Sequence, residues 1–200
     1  MAVLSKIRGL LYNVFVTPYY RVAMGRFGRN SKLFKPTGIT GYQRIFIGDN
    51  VFISHYGWLA ANPLTGDMNC KLTIGDGTYI GRFCHIYSTS AIEIGKKVLI
   101  ADKVYISDNL HGHAAVDIPV IDQPVVQANK VVIGDGSWLG ENVCVIGASV
   151  GKHSIVGANA VVNKDIPDYC IAVGIPAKII KRYNFEANSW QKTNESGEFL

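Results

Sequence analysis

Two of the five histidines in this 200-residue chain fall in one short run, Ser107-Asp108-Asn109-Leu110-His111-Gly112-His113. An imidazole has an ordinary pKa of about 6.5, so near neutral pH it can take a proton from a reacting group and return it. The run opens a longer stretch, residues 107–130, that also carries Pro119 and Pro124 and breaks the periodicity on either side of it. Long loops in compact domains are usually functional or disordered, so a loop with two histidines is the first place to look for chemistry. His111 follows a regular segment directly. His113 could orient His111, bind a reactant or do neither. Asp108 could fix the tautomer of His111 or cap a turn. His55 and His153 have no supporting context.

Those residues must be positioned by an unusual repeat. From Val131 to Pro167, aliphatic residues recur at Ile133, Leu139, Val145, Val150, Val156 and Val162, almost always six apart, and small residues often follow them. A period of six fits neither an α-helix nor a simple alternating strand. It fits a solenoid in which each unit is a short strand and a tight turn. The pattern recurs at Ile47, Ile53 and Leu59, at Ile74, Ile80 and Ile86, and at Ile94, Ile100 and Ile106. The fourth residue after each aliphatic is usually small or β-branched, as at Thr78, Val98, Ser137 and Ala160. Each hexad therefore offers one large and one small inward position. Three hexads close one triangular coil, and the counted sets predict five coils from about residue 47 to residue 168. His85 and Tyr87 lie one coil before the histidine loop, at a height that suits a pocket wall; exposure at a repeat corner is the alternative.

The flanks read differently. Residues 1–46 form a basic segment, with eight Lys or Arg residues from Lys6 to Arg44 and no acid before Asp49. It reads as one or two short helices broken around Thr17–Pro18, since proline disfavours a helical residue before it, followed by an irregular lead-in at residues 31–46. Solenoids need capped ends, so a cap is the first expectation. Interleaved Leu10, Leu11, Tyr12, Val14, Phe15, Tyr19 and Tyr20 also suit contact with an anionic membrane surface. Residues 60–73 carry turn signals and read as a loop thrown off a corner. Residues 169–200 read as an extended exit and a polar tail with a short helix around Phe185–Trp190.

Composition narrows the classes. Hydrophobic content of 48% against 18% charged argues for a folded chain. Cys70, Cys84, Cys144 and Cys170 have no CxxC spacing and read as thiols in a reducing compartment. No apolar run is long enough to span a bilayer. A basic terminus without a recognised binding module does not support nucleic-acid binding.

The Ile-Gly-Asp-Gly units at Ile74 and Ile133 resemble those of the hexapeptide-repeat acyltransferases. That resemblance implies an all-β fold, a left-handed parallel β-helix with a helical N-terminal cap and a loop protruding at about residues 107–130. The handedness comes with the resemblance, not with the spacing. Gly174-Ile175-Pro176-Ala177-Lys178 is similar to the family's exit motif, and Asn163-Lys164-Asp165-Ile166-Pro167 to its Thr-Lys-Asp-Ile-Pro run, with Asn163 in place of Thr. The likeness covers about residues 47–183. Within the family, the branch resembled is that of galactoside, maltose and polysaccharide O-acetyltransferases. It implies acetyl-CoA as co-substrate, His111 as general base, no metal requirement, a homotrimer, and an acceptor hydroxyl on a sugar of a surface polysaccharide or its precursor. The basic N-terminus would suit work in the cytoplasm at the inner face of the membrane. Asp108, Asn109, His113, His85 and Tyr87 become acceptor-site candidates. Lipopolysaccharide-modifying members commonly show Asp-His-Asn-His-Gly where this chain has Asp108-Asn109-Leu110-His111-Gly112. Trp138, Gly140, Ala158, Asn163, Lys164 and Lys181 take the positions that hold coenzyme A, the lysines as point-charge partners for phosphate.

Two other readings stand beside this one. A β-helical carbonic anhydrase needs three His ligands on zinc and an open fourth position; His85, His111 and His113 could supply them, although that class places its ligands on successive coils. A non-enzymatic repeat scaffold would bind a partner through the loop and have no affinity for coenzyme A.

Overall fold

A computed structural model of the chain describes residues 12–200; Lys6, Arg8, Leu10 and Leu11 of the basic segment lie outside the described residues. The described chain winds into a three-walled parallel β-helix. The first wall stacks Arg26–Phe27, Ile45–Ile47, Lys71–Ile74, Ala91–Ile94 and Val131–Ile133, and single-residue bridges extend it to Val150 and Ile166. The second stacks Lys32–Leu33, Phe52–Ile53, Tyr79–Ile80, Leu99–Ile100, Trp138–Leu139, Ile155–Val156 and Cys170–Val173. The third stacks Gly38–Thr40, Trp58–Ala61, His85–Ser88, Tyr105–Ser107, Cys144–Ile146 and Val161–Val162.

Register explains the period of six. Ile47, Ile74, Ile94 and Ile133 sit directly above one another, as do Ile53, Ile80, Ile100 and Leu139, and all are buried. Between these columns the small positions Thr78, Val98 and Ser137 are buried at one corner, and Ala160 at the next, between the second and third walls. Each of these positions fills a narrow prism with side chains whose volume must match those above and below. The Asp residues of the turns serve the stack as well. Asp49, Asp76, Asp135 and Asp168 accept hydrogen bonds from the backbone N–H of Arg29, Asp49, Lys96 and Lys152, each on the neighbouring coil, at 2.7–3.0 Å. Residues at the same corner, including Asn50, Lys97 and His153, adopt positive φ, which gives His153 a structural place: its ring stacks on Tyr169.

Two expectations are corrected. The supposed irregular lead-in contains a coil of its own, since Phe27, Leu33 and Ile39 keep the six-residue spacing and pair with Ile47, Ile53 and Leu59. Its turns lack Gly-Asp, so the usual marker is missing. The supposed helix around Phe185–Trp190 is instead the turn and second strand of an antiparallel hairpin, Lys178–Asn184 with Ser189–Lys192, which continues the second wall past Cys170–Val173. Tyr183 packs edge-on against its cross-strand partner Trp190 and against Phe185 in the turn. At the other end the expected division around Thr17–Pro18 is present as a change of helix type. Wide turns at Tyr12–Val16 run on as the α-helix Thr17–Ala23, with Pro18 in the first turn, where no backbone N–H is required. Tyr20 of this helix and Met24 just beyond it join the core with Phe27 and Leu33, closing the open end of the prism.

Candidate active site

Every insertion of the solenoid leaves from the corner after the third wall. Residues 62–70 leave it two coils before the histidine loop. The histidine loop itself is a ribbon: Asn109–His111 pairs antiparallel with Val125–Gln127, placing His111 opposite Val125. The ribbon is pinned at its base by Ala128 N–H to the Asp108 carbonyl at 2.9 Å and beyond His111 by Gly112 N–H to the Pro124 carbonyl at 2.9 Å. A Cβ on Gly112 would come within 2.5 Å of that carbonyl oxygen, so the approach needs glycine. At the tip, the Gln123 amide donates to the carbonyls of Ala115 and Ile118.

Gln127 ties the ribbon to its surroundings. Its carboxamide oxygen accepts from Thr65 Oγ1 at 2.6 Å and Thr89 Oγ1 at 3.0 Å, while its Nε2 donates to the Asp108 carbonyl at 2.5 Å. The two inserted loops and the preceding coil are thereby joined at one side chain.

His111 is exposed on this ribbon and faces a cleft of about 360 Å³. One wall of the cleft is aromatic: Trp58, His85 and Tyr105 stand one above the other on successive coils, with Tyr87 beside them. The Trp58 and His85 rings stack in parallel, 4.6 Å between centroids and 2° apart, and Tyr105 meets His85 edge-on. The other wall is aliphatic, from Leu64, Leu110 and Val125. His85 Nε2 is buried without a hydrogen-bond partner, and burial lowers the pKa of the ring, so His85 stands neutral at pH 7.

The acceptor-site candidates divide. His85, Tyr87 and Asn109 line the cleft with His111. Asp108 does not. Its carboxylate is fully buried and accepts from the backbone N–H of Thr89 and Ser90, the hydroxyls of Ser88 and Thr89, and Asn109 Nδ2, at 2.7–3.2 Å. A buried carboxylate needs such donors to offset lost hydration, and all of its partners belong to the corner, none to His111. Asn109 spends its amide on Asp108 and on the Tyr87 carbonyl. His113 is exposed, and its Nδ1 lies 3.1 Å from the His111 carbonyl oxygen, on the backbone and not on the His111 ring. His85, His111 and His113 therefore do not converge as zinc ligands. Among the described residues no three His, Cys, Asp or Glu side chains are grouped to hold a metal ion.

The coenzyme candidates are spread over several surfaces. Gly140 and Ala158 meet on adjacent coils at the corner after the second wall. Trp138 points outward from the second wall, and Lys181 pairs opposite Ile171 on the same wall's antiparallel extension. Asn163 and Lys164 are exposed after the third wall. Lys164 and Lys181 thus belong to different sides of one chain.

Sequence reasoning missed Trp58, Tyr105, Leu64, Leu110 and Val125. A signal was present for the first two: Trp58, His85 and Tyr105 each immediately precede a core aliphatic, Leu59, Ile86 and Ile106, which makes them outward neighbours in one column.

Known proteins share this architecture. Residues 130–164 match the hexapeptide repeat of succinyl-transferase. The chain is 36% identical over 203 residues to the probable acetyltransferase Rv3034c of Mycobacterium tuberculosis, covering 94% of this chain and 67% of that protein. It is 41% identical over 125 residues to the putative lipopolysaccharide biosynthesis O-acetyl transferase WbbJ of Escherichia coli K12, covering 58% of this chain and 63% of that one. The chain thus spans less than two thirds of the length of WbbJ. Among solved structures it resembles AntD, an N-acyltransferase from Bacillus cereus in complex with dTDP and 3-hydroxybutyryl-CoA, with a TM-score of 0.68 at 21% identity over 85% of this chain and 89% of that one. That likeness shows the fold, a left-handed β-helix.

Proposed function

Because the chain belongs to the hexapeptide-repeat acetyltransferase family, we propose that it transfers an acetyl group from acetyl-CoA to a sugar hydroxyl, with His111 as general base. The observation that carries the proposal is the placement of His111: exposed on a ribbon pinned at both ends, facing a cleft that opens on a wall of the solenoid. Relatives named as an acetyltransferase and a lipopolysaccharide O-acetyl transferase support the donor and the oxygen acceptor.

The steps balance without a covalent enzyme intermediate. His111 takes the hydroxyl proton as the oxygen attacks the thioester carbonyl. The tetrahedral intermediate collapses, the carbon–sulfur bond breaks, and the departing thiolate takes the proton from His111. Such a base contributes about 10²–10⁴ in rate; holding both substrates together supplies much of the rest. Asp108 builds the corner from which His111 projects, and Asn109, His85 and Tyr87 face the acceptor. Trp138, Gly140, Ala158, Asn163, Lys164 and Lys181 are the proposed coenzyme contacts. Because they lie on different sides of one chain, a single bound coenzyme would meet them on two neighbouring chains.

The working form is accordingly a homotrimer. Phe52, Tyr79, Leu99 and Trp138 stand in register along the outside of the second wall, and Tyr79, Leu99 and Trp138 are each more than 40% exposed. A continuous apolar strip of this kind marks an interface. Sedimentation of the active species tests this; an active monomer contradicts it.

The acceptor belongs to a surface polysaccharide or its precursor, handled at the inner face of the membrane. No described helix is long and apolar enough to cross a bilayer. Phe15, Tyr19 and Val22 are exposed at helical spacing on one side of the N-terminal helix, which also carries Arg21, although Arg26 and Arg29 are already paired with Asp49. Anionic lipid is the surface that suits this face. Sedimentation with phosphatidylglycerol vesicles tests it, and binding that survives Phe15→Ser with Val22→Ser contradicts it.

Calorimetric titration with acetyl-CoA, followed by an acceptor screen that reads thiol release, tests the main proposal. Saturable binding and glycoside-dependent thiol release are expected. A folded protein that ignores millimolar acetyl-CoA overturns it.

A further inference from the structure

We propose that a second cavity, on the outer side of the first wall where residues 68–71 pass residues 43–46, binds a phosphate ester through Arg44 and Lys71. The inference does not rest on the acetyltransferase reading. The ligand chemistry is that of a phosphoryl anion, carried either by a lipid headgroup or by a small soluble phosphate; the lipid source extends the membrane reading, and the soluble source stands without it.

The cavity has a volume of about 330 Å³ and is lined by Arg44 and Lys71 together with Gln43, Phe46, Met68 and Asn69. Ile45 pairs with Leu72 in parallel register, so Arg44 and Lys71 enter neighbouring strands side by side, their backbones about 4.8 Å apart. Ala91 stands on the other side of Lys71. Like charges set opposite one another on neighbouring strands repel, and among the described residues neither side chain has an ion-pair partner. The Lys71 ammonium lies over the Phe46 ring, 5.6 Å from its centroid, an attraction that holds it at the cavity. Gln43 is fixed in turn, since its Nε2 donates to the carbonyl of Ala23 at the end of the N-terminal helix at 2.7 Å.

The acidic groups nearby are engaged elsewhere. Asp67 accepts from Ser90 Oγ at 2.5 Å and from the Asn69 N–H at 3.0 Å, and the charge of Lys130 also favours its ionised form. Glu93 is on the same wall, one coil beyond Thr73, and does not line the cavity. Burial pushes the Cys70 thiol up, so at pH 7 this lining residue is neutral. Two cations thus share a concave space with no carboxylate in its lining, which complements an anion and not a neutral or cationic ligand. A guanidinium meets two phosphate oxygens at once, and an ammonium adds a point charge. Phe46 and the exposed Met68 offer apolar surface to the carbon part of an ester. Lys164 and Lys181, the proposed partners of the coenzyme phosphates, lie toward the opposite end of the solenoid, so this cavity is a separate site.

The test compares three full-length proteins: wild type, Arg44→Gln with Lys71→Gln, and a control, Lys97→Gln with Lys192→Gln, which removes the same charge from exposed positions elsewhere. The probes are sn-glycerol 3-phosphate, titrated by calorimetry, and phosphatidylcholine vesicles containing phosphatidylglycerol, read by sedimentation. Loss of both cations is expected to weaken binding at least about tenfold, with the control within about twofold of wild type. Should the double variant fold poorly, Lys71→Gln alone, at an exposed side chain, is expected to weaken binding about threefold. Excess acetyl-CoA should leave glycerol 3-phosphate binding in place. The two probes separate the sources. A loss of vesicle binding beyond that of the control assigns the cavity to a lipid headgroup, and a loss confined to glycerol 3-phosphate assigns it to a soluble phosphate. The proposal is overturned by a wild type that binds neither probe, by equal losses in the two charge variants, by no loss with either probe when Arg44 and Lys71 are replaced, or by displacement of glycerol 3-phosphate with acetyl-CoA. The first three of these leave the acetyltransferase reading intact, since that reading is decided by acetyl-CoA titration.

Discussion

The walls of the solenoid and the corner after its third wall are built from the same chain by opposite rules. Along the walls, each buried side chain sits on its equivalent from the coil below, Ile80 on Ile53 and Ile100 on Ile80, and little else is permitted. At the corner the repeat is interrupted by residues 62–70 and by the His111 ribbon, and order comes from individual hydrogen bonds, above all those of Asp108 and Gln127. The difference separates stability from chemistry. Repetition supplies a rigid frame, and only where repetition stops can a histidine be set apart from the rest.

The comparison is broken most severely in the walls. Ile100→Ala empties a fully buried position between Ile80 and Leu139 and should cost about 2–5 kcal/mol in urea unfolding. Its specific activity per folded molecule should stay near wild type. At the corner, Asp108→Ala leaves the Thr89 and Ser90 N–H groups buried without acceptors. At about 1–3 kcal/mol for each orphaned group, the loss of stability should approach that of the core variant, and here acetyl transfer should fall with it. An Asp108→Ala protein with unaltered melting and activity would remove the corner from the account.

Smaller effects sharpen the contrast. Gln127→Ala cuts the tie between the two loops, and the expected cost in stability is only about 1–2 kcal/mol. Because the ribbon it holds carries His111, kcat should fall about tenfold while acetyl-CoA affinity stays put. A drop in affinity with kcat preserved would reassign Gln127 to the coenzyme.

The smallest effect concerns pH. Burial lowers the His85 pKa below its unfolded value, so below about pH 6.5 the unfolded chain binds a proton that the folded chain refuses. Stability from this group is present above that pH and declines as pH falls toward the depressed folded value. His85→Phe keeps the ring on Trp58 and removes the unpartnered Nε2. It should melt within about 1 kcal/mol of wild type at pH 7.5 and lose less stability than wild type between pH 7 and pH 5. Identical pH profiles would place the acid sensitivity elsewhere.

The same division decides what could be read from sequence. The columns were legible because Ile, Leu and Val at six-residue spacing have no other structural outlet. The first coil was not, although Phe27, Leu33 and Ile39 keep the spacing, because its turns carry no Gly-Asp marker. His111 was legible from its position where the repeat stops. Its neighbours were harder. Trp58 and Tyr105 reach the site through stacking with His85, which lies 27 residues beyond the one and 20 before the other, distances that depend on how long each corner insertion is. Asp108 could not be assigned from sequence at all: whether a carboxylate before a histidine faces that histidine or the preceding coil depends on donors from residues 88–90. The tail reads as polar and helix-compatible locally, and only the exposed edge of Cys170–Val173 recruits it as strands.

The central claim is that His111 removes the acceptor proton, and the direct measurement is turnover of His111→Ala beside its affinity for acetyl-CoA. The account predicts a loss of kcat of about 10²–10⁴, with melting temperature unchanged and the acetyl-CoA dissociation constant within a few fold of wild type. A His111→Ala enzyme that keeps most of its rate would contradict the account, and His113 would be the next residue to replace.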